Sequence, residues 1–382
     1  MNLKNHTYFV GYTDPKSGVK SYILRKKIAP MQQHLYFTQP SITSDGKYLW
    51  IRCSYPPAQV QTMAVVSLDP KNPSITHFPQ AAIVHNGDYP AITPEQDGLY
   101  IPHDNTLYKL SLDGKMTPII TLSKELQKDR TCETLMTHAS ISCDNKYIGL
   151  DMRLSDKWYI GIGNLQTGEV KVIAKSGRCW DHFQFSPKES NLFLIDQDWW
   201  HDYHSSEFFG IQNRIWLMDT DGKRWEPLIP NSVFGKDGTE ICHDFWSDDG
   251  HVCWSDYNSG AYECNIETRE TTCVWHRPIC HSHTSKDRRF WCGDQTPYTW
   301  AERPCQTLFF DRESGKEIEI FSSLPFPHEN RSFYHYDPHP QFVLDDKYIV
   351  STTTVIDGEI DVAITPVEPL IKKCRENGTL LK

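Results

Sequence analysis

The sequence predicts an all-β fold, a seven-bladed β-propeller with four antiparallel strands in each blade. The first observation is a unit that recurs seven times along the 382 residues: an apolar strand, a polar turn and a second apolar strand. The second observation is a further hairpin after each unit. Two hairpins make a four-stranded sheet, and a repeat of about 55 residues is only slightly longer than common propeller blades.

The seven units share turns rich in Ser, Pro, Asp, Gly or Lys; they cover 41–50, 91–100, 140–148, 183–189, 245–252, 284–291 and 342–349. The second hairpins, in which Asp-Gly and Thr-Gly pairs predict tight turns, include 107–114, 159–168, 215–222 and 309–315. A four-stranded sheet cannot bury both of its faces alone. We therefore expect the seven sheets to pack around one axis as blades.

The domain organisation follows from the repeat. No low-complexity linker or long charge run interrupts it, so we expect one domain over residues 1–382. The hairpin-like segment 8–19 is expected to pair with the last repeat and close the ring. Segments 122–130 and 369–381 are predicted to be helical and peripheral.

Composition and charge exclude several classes of function. A net charge of −10 with no stripe of Lys and Arg argues against nucleic-acid binding. The N-terminal residues lack the apolar region of a signal peptide, and no apolar run approaches the roughly 20 residues of a membrane span. The twelve cysteines are scattered without a CxxC pair, which is typical of reduced thiols in a cytoplasmic protein. The oligomeric prediction is a monomer or homodimer.

Six histidines precede the turns of their units by similar distances: His34, His138, His182, His243, His281 and His339. In a propeller such positions face one mouth of the axis, so as a set they indicate a functional centre. For any one of them taken singly, a hydrogen-bonded structural histidine is the favoured interpretation. His281 and His283 lie on one strand face, and with Asp337 and His339 they offer nitrogen and oxygen ligands suited to Mn, Fe, Ni, Zn or Ca.

Other side chains are candidates for proton transfer and substrate contact. His243 is a candidate base, although the adjacent Asp244 should point to the opposite face of the strand. Arg214 could bind a carboxylate in bidentate fashion or form an ordinary salt bridge. The aromatic segment 198–204 offers flat faces for a sugar ring, and His201 or Tyr203 could donate a proton; core packing is the alternative for its tryptophans. No P-loop, GxSxG or GxGxxG motif is present.

The most distinctive segments resemble one known family. Segments 214–222, 242–250, 280–281 and 338–340, together with 345–347, resemble the oligogalacturonate lyases. That resemblance implies a cytoplasmic seven-bladed propeller that cleaves short pectin fragments by β-elimination with a bound divalent cation, typically manganese. It also implies residue roles: His243 matches the proton-abstracting histidine, Arg214 the arginine at the substrate carboxylate, and His281 and His339 the metal ligands. Asp337 stands where the family has His, which keeps a ligand, and Tyr334 stands where it has Gln.

The resulting functional prediction is a metal-assisted lyase acting on short uronic-acid oligosaccharides. Its predicted metal ligands are His281, Asp337 and His339; its predicted substrate-binding residues are His34, His138, His182, His201 and Tyr203. Manganese is the expected cation, with calcium, zinc or another divalent ion as alternatives.

Three alternatives stay open. One is a related propeller lyase on a rhamnose–glucuronate or ulvan-type glycan, for which Tyr203, His138 and His182 would matter more. Another is a non-catalytic binding propeller of the TolB or WD type. The third is a hydrolase, for which Asp181 and Asp244 are the candidate carboxylates.

Overall fold

A computed structural model describes residues 1–83, 89–202, 204–236, 238–297, 299–300, 302–325, 334 and 337–381. The first strands along the chain are β1 Phe9–Thr13, β2 Lys20–Leu24, β3 Met31–Gln33, β4 Tyr48–Ser54, β5 Gln61–Ser67, β6 Ile75–Ile83, β7 Ala91–Ile92, β8 Gly98–His103, β9 Thr106–Ser111, β10 Met116–Thr121, β11 Cys132–Thr134, β12 Tyr147–Leu154, β13 Lys157–Asn164, β14 Val170–Ser176, β15 Trp180–Phe185 and β16 Leu192–Gln197.

The remaining strands are β17 Trp200–Asp202, β18 Glu207–Phe209, β19 Ile215–Asp219, β20 Trp225–Pro227, β21 Ile241–Trp246, β22 His251–Asp256, β23 Gly260–Asn265, β24 Thr271–Trp275, β25 Ser282–Thr284, β26 Phe290–Gln295, β27 Gln306–Asp311, β28 Lys316–Phe321, β29 Gln341–Val343, β30 Tyr348–Thr353, β31 Asp361–Pro366 and β32 Thr379–Leu380. The helices are a 3-10 turn at Leu3–Asn5, α1 at Lys124–Gln127 and α2 at Val367–Asn377. Helix α1 lies within the segment 122–130 that the sequence predicts to be helical. Helix α2 overlaps the predicted segment 369–381 but ends at Asn377, and Thr379–Leu380 form β32 instead. No helix among the described residues is long and apolar enough to cross a bilayer.

The described strands form seven sheets of four or five strands, and one small hairpin. The sheet orders are β3-β4-β5-β6, β10-β9-β8-β7, β11-β12-β13-β14, β15-β16-β19-β20, β21-β22-β23-β24, β25-β26-β27-β28-β32 and β1-β2-β31-β30-β29. Neighbouring strands within the described sheets pair antiparallel, for example β12 with β13 and β30 with β31. This confirms the predicted fold class, a seven-bladed β-propeller. The hairpin β17-β18 is inserted between neighbouring strands of the fourth sheet.

The turns of the repeated units have a common local cause. In four of them a Ser or Thr hydroxyl donates a hydrogen bond to the Asp two residues later; the pairs are Thr43–Asp45, Ser142–Asp144, Ser247–Asp249 and Ser285–Asp287, at 2.6–2.8 Å. The residue after each Asp has a left-handed backbone: Gly46, Asn145, Gly250 and Arg288. This geometry closes a tight turn, which is why the pattern is readable in the sequence.

The chain divides into two compact units, Met1–Ala82 with Cys253–Glu263 and Thr272–Lys382, and Ile83–Val252 with Cys264–Thr271. In the first unit, apolar side chains of β4, β5, β30 and β31 form one core, and those of β2, β26, β27, β28 and α2 form another. In the second unit, β12 contributes to one core and β13, β15 and β16 to another. The single domain predicted for residues 1–382 stays a prediction.

All twelve cysteines are free thiols, and most are buried.

Candidate active site

The first unit holds the predicted metal-ligand group. Ligand atoms of His281, Asp337 and His339 lie within 4.8 Å of one another, and all three side chains are buried. His281 directly precedes β25, whereas Asp337 and His339 lie in the segment that leads into β29. The two imidazole rings have centroids 4.0 Å apart. The fold therefore brings together the three residues that the sequence singled out as ligands.

Asp294, in β26, orients this group. Its carboxylate lies 3.1 Å from Nδ1 of His281 and accepts hydrogen bonds from the backbone N–H of His281 at 3.0 Å and of His339 at 2.8 Å. A carboxylate on Nδ1 directs Nε2 toward a metal and is the usual outer-shell arrangement for ligating histidines. Burial by itself would lower the pKa of His281, but Cys280 and Asp294 raise it well above the ordinary value.

Asp337 is held in the same way by a neighbouring hydroxyl. Thr296 Oγ1 donates to its carboxylate at 2.6 Å. Two imidazoles and one carboxylate form a nitrogen–oxygen donor set that suits Mn²⁺, Zn²⁺ or Fe²⁺. The chemistry of the donors and the outer-shell contacts of Asp294 and Thr296 thus fit a divalent cation.

Tyr334 and His34 support the ligand segment. The Tyr334 hydroxyl donates to the carbonyl oxygen of Ala58 at 3.3 Å, so this side chain packs inside the first unit. His34 Nε2 lies 3.1 Å from the carbonyl oxygen of Pro338, the residue between the two ligands of this segment. Burial lowers the pKa of His34 to about 3, which keeps the ring neutral and able to donate. The predicted contact of His34 with substrate stays a prediction.

The second unit contains a cluster of charged residues around Arg214. Its Nε lies 2.8 Å from a carboxylate oxygen of Asp196 and 3.9 Å from one of Asp244, and a terminal nitrogen donates to Asp198 at 3.3 Å. The guanidinium is only 6% exposed, so these ion pairs are largely shielded from water. Burial, reinforced by Asp244 and opposed by Arg214, raises the pKa of Asp196 well above its ordinary value. Asp198 is the most exposed of these carboxylate partners.

His182 and His138 pack against each other in the same unit, with ring planes tilted by 54°. Their ring centroids are 4.5 Å apart, and His138 stacks on Tyr89 at 5.1 Å. His182 Nδ1 is 2.7 Å from a carboxylate oxygen of Asp181. Burial alone would lower the pKa of His182, but the Asp181 carboxylate raises that pKa above its ordinary value. Burial lowers the pKa of His138 far below its usual range, and the charges of His182 and Arg214 lower it further.

His243 and Asp244 lie in β21. The Asp244 backbone and side-chain oxygens accept hydrogen bonds from Gln184 Nε2 at 3.0 and 3.3 Å, and the same carboxylate faces Arg214. His243 is half-buried and has a φ of 52°. His182 and His339, at matching points of their units, also have left-handed backbones, with φ of 58° and 45°. Non-glycine residues adopt this region rarely, and such strain clusters at functional sites.

One of the two remaining predicted substrate residues belongs to the inserted hairpin. His201 lies in β17, is exposed, and packs against Phe208 across the hairpin at 5.0 Å. Tyr203 lies outside the described residues.

Sequence reasoning missed three buried carboxylates. Asp294 contacts the predicted metal ligands, Asp196 contacts Arg214, and Asp151 is the third. Each is the fifth residue of its strand, β26, β16 or β12, and follows a run of uncharged, mainly apolar residues. An aspartate at the same position of three repeated strands is a signal that could have identified these residues from the sequence.

The fold and these side chains define a seven-bladed β-propeller with a buried His₂Asp ligand set. No family model matches the sequence. A curated oligogalacturonate lyase from Dickeya dadantii (strain 3937) is 24% identical over 216 residues, which are 51% of this chain and 52% of the relative. The match thus spans about half the length of that relative.

Two solved structures share the fold over nearly the whole chain. One is an oligogalacturonate lyase in complex with manganese, with a TM-score of 0.75, 18% identity and coverage of 94% of this chain and 96% of that chain. The other is an oligogalacturonate lyase from Vibrio parahaemolyticus, with a TM-score of 0.74 and the same identity and coverage. The resemblance read from the sequence motifs is thereby confirmed, and the chain has the fold of these lyases.

Proposed function

We propose that this protein is a lyase that cleaves short uronic-acid oligosaccharides, of the oligogalacturonate type, by metal-assisted β-elimination. The observation that carries the proposal is the buried group of His281, Asp337 and His339, oriented by Asp294. The similarity to oligogalacturonate lyases, one of them a manganese complex, supports both the substrate class and manganese as the cation.

The reaction must overcome the low acidity of the proton on C5 of a uronate. That proton lies next to a carboxylate, whose negative charge opposes formation of a second one. A divalent cation held by His281, Asp337 and His339 would supply positive charge that stabilises the enolate-like intermediate. Outer-shell contacts hold those ligands in place and exclude water from their buried sides.

His243 is the proposed base. A neutral imidazole near physiological pH can accept the C5 proton, a contribution typically worth about 10²–10⁴-fold in rate. The C5–H bonding electrons form the C4–C5 double bond as the C4–O bond breaks, and the leaving oxygen takes a proton. The product is a 4,5-unsaturated uronate, and no water is consumed.

Arg214 is proposed to act at the substrate carboxylate, with Asp196 and Asp244 fixing its guanidinium from the buried side. His34, His138, His182, His201 and Tyr203 are proposed to bind or position the sugar. The cytoplasmic location and the monomeric or homodimeric state stay predictions from the sequence.

The test is a substrate panel followed by the ultraviolet absorbance of the unsaturated product. Digalacturonate and a rhamnose–glucuronate oligomer are each offered with Mn²⁺, without added metal and with chelator. We expect product from digalacturonate that depends on Mn²⁺ and disappears with chelator. Product from the rhamnose–glucuronate oligomer alone would assign the chain to the related glycan lyases, and no product from any uronide would refute lyase activity.

A further inference from the structure

We propose that a cleft beside the inserted hairpin β17-β18 binds one acidic sugar ring, as a substrate subsite that sets chain-length preference and charge selectivity. The inference rests on the proposed function, because it extends the same substrate class. The cleft, here called the hairpin cleft, has a volume of about 440 Å³ and is lined by residues that include Arg153, Trp158, Asp181, Trp199, Trp200 and Phe208. This volume lies within the range of about 300–1,000 Å³ typical of small-molecule sites.

The hairpin is an addition to its blade. Strands β16 and β19 are neighbours in the sheet, yet the chain between Gln197 and Ile215 forms an extra pair of strands. In the preceding sheet, β12 and β13 are joined by only two residues. The addition exposes two large aromatic side chains, Trp199 at 52% and Phe208 at 58%. Exposed aromatic surface grouped at a cleft is typical of a binding site.

Aromatic contacts orient the rings beside the cleft before any ligand arrives, and Phe208 packs against His201 at 5.0 Å. Trp200 stacks on Phe209 with centroids 4.6 Å apart and planes 10° from parallel. Trp199 packs edge-on against Phe234 at 5.9 Å. Rings held in one orientation lose little entropy on binding. Their faces carry partial negative charge and attract the C–H groups on one side of a pyranose ring.

The charges of the cleft select the kind of sugar. Arg153 lies over the Trp158 ring at 5.3 Å and lines the cleft beside an aromatic face. Its Nε pairs with Glu133 at 3.2 Å and donates to the Ser155 carbonyl oxygen at 3.3 Å, which holds the guanidinium in place. A guanidinium can bind a sugar carboxylate through two parallel hydrogen bonds. The Asp181 carboxylate, 18% exposed, can accept hydrogen bonds from sugar hydroxyls. A ring that carries both hydroxyls and one carboxylate satisfies both residues, whereas Asp181 would repel a more highly charged phosphate.

Asp181 also links the hairpin cleft to the contact between His182 and His138. The same carboxylate that faces the cleft pairs with His182 at 2.7 Å, and His182 packs against His138. A sugar bound in the cleft would therefore contact the carboxylate that pairs with His182. This continuity favours a subsite of the active site over an unrelated binding surface.

The first test measures binding without turnover. Trigalacturonate is titrated into the full-length protein by calorimetry with chelator present. We expect Trp199→Ala to weaken binding by about tenfold, since stacking against an indole face is lost. Trp225→Phe is the matched control, because Trp225 is also exposed, lies on β20 of the same sheet and does not line the cleft. It should stay within about twofold of wild type.

The second test addresses charge selectivity. Arg153→Gln should reduce the preference for trigalacturonate over its fully methyl-esterified form by about fivefold or more, while Arg153→Lys should keep part of it. The ester is the internal control, because it offers the same ring without the carboxylate charge. Undetectable binding by the wild type, or unchanged binding in Trp199→Ala, would overturn the subsite.

The outcomes separate this inference from the proposed function. If the manganese-loaded enzyme cleaves trigalacturonate but Trp199→Ala binds it normally, the lyase proposal stands and the subsite is wrong. If the wild type binds trigalacturonate in a Trp199-dependent manner without cleaving it, the subsite stands and the lyase proposal fails.

Discussion

At the scale of single residues, Asp294 holds the candidate metal group together. One carboxylate oxygen accepts the backbone N–H of His281 and the other that of His339, and both lie near His281 Nδ1. The residue therefore sets the positions of two ligands that are more than fifty residues apart in the chain. It needs no contact with substrate to affect the reaction.

Replacing Asp294 with Asn should weaken Mn²⁺ binding by about 10–100-fold, because the outer-shell carboxylate that orients His281 is lost. Calorimetric titration of Mn²⁺ into metal-free protein would measure this. Asp256→Asn is the control, since Asp256 is a buried carboxylate of the same unit outside the ligand group. Equal Mn²⁺ affinity in both variants would contradict the role assigned to Asp294.

The second residue-scale prediction concerns His243. His243→Ala should lower turnover of digalacturonate by at least about 10²-fold, because the proposed base is removed. The unsaturated product gives the rate, and circular dichroism with thermal unfolding shows whether the fold survives. Near-normal activity in a folded variant would exclude His243 as the base.

At the scale of elements, the second strand of each of two blades carries a buried aspartate at its fifth position that joins two blades. In β26 this is Asp294, which accepts from its own blade at His281 and from the next at His339. In β12 it is Asp151, which accepts from Thr137 N at 2.7 Å and from Phe183 N at 3.3 Å. In each unit, an aspartate at this position therefore accepts hydrogen bonds from backbone N–H groups of two neighbouring blades.

Asp151 should make stability depend on pH. Burial, partly offset by the Thr137 hydrogen bonds, raises its pKa from 3.8 to about 7. Because the folded state then holds a proton that the unfolded state has released, stability is lost as pH rises from about 4 to 7. The effect amounts to at most about 4 kcal/mol.

Urea unfolding at several pH values would test this prediction. Asp151→Asn cannot titrate, so its free energy of unfolding should fall less steeply between pH values of about 5 and 7 than that of the wild type. Parallel pH profiles for the two proteins would show that Asp151 keeps an ordinary pKa.

At the scale of the whole molecule, the N-terminal hairpin completes the last blade, as the sequence predicts. Strand β2 pairs with β31 through Tyr22–Ile364 and Ile23–Ala363. The C-terminal β32 adds to β28 of the preceding blade, after helix α2 has buried Val367, Leu370 and Cys374. Segments near both ends of the chain are thereby paired into sheets.

Weakening this closure should destabilise the protein. Ile23 is fully buried in a core that includes residues of β27, β28 and β30, so Ile23→Ala should cost about 2–5 kcal/mol of unfolding free energy. Val10 faces Ile23 in the β1–β2 register but is 40% exposed, and Val10→Ala is the control. Similar urea midpoints for the two variants would show that the N-terminal hairpin does not secure the last blade.

The sequence alone predicted the features whose causes are local or repeated. Ser, Thr, Asp and Gly at fixed offsets form the turns through bonds within a few residues, so the seven repeats and the fold class were readable. His281, Asp337 and His339 were readable as ligands because their residue types are suited to metals, and because the surrounding segments resemble a known family.

Only the tertiary structure decided which groups surround those residues. It placed Asp294 on His281, set Asp196, Asp198 and Asp244 around Arg214, and turned His34 toward the Pro338 carbonyl. These partners come from strands up to three hundred residues apart, and their choice depends on burial and on the register of neighbouring blades. No local pattern encodes that choice, because a carboxylate in a strand has the same local preferences whichever partner the fold brings to it.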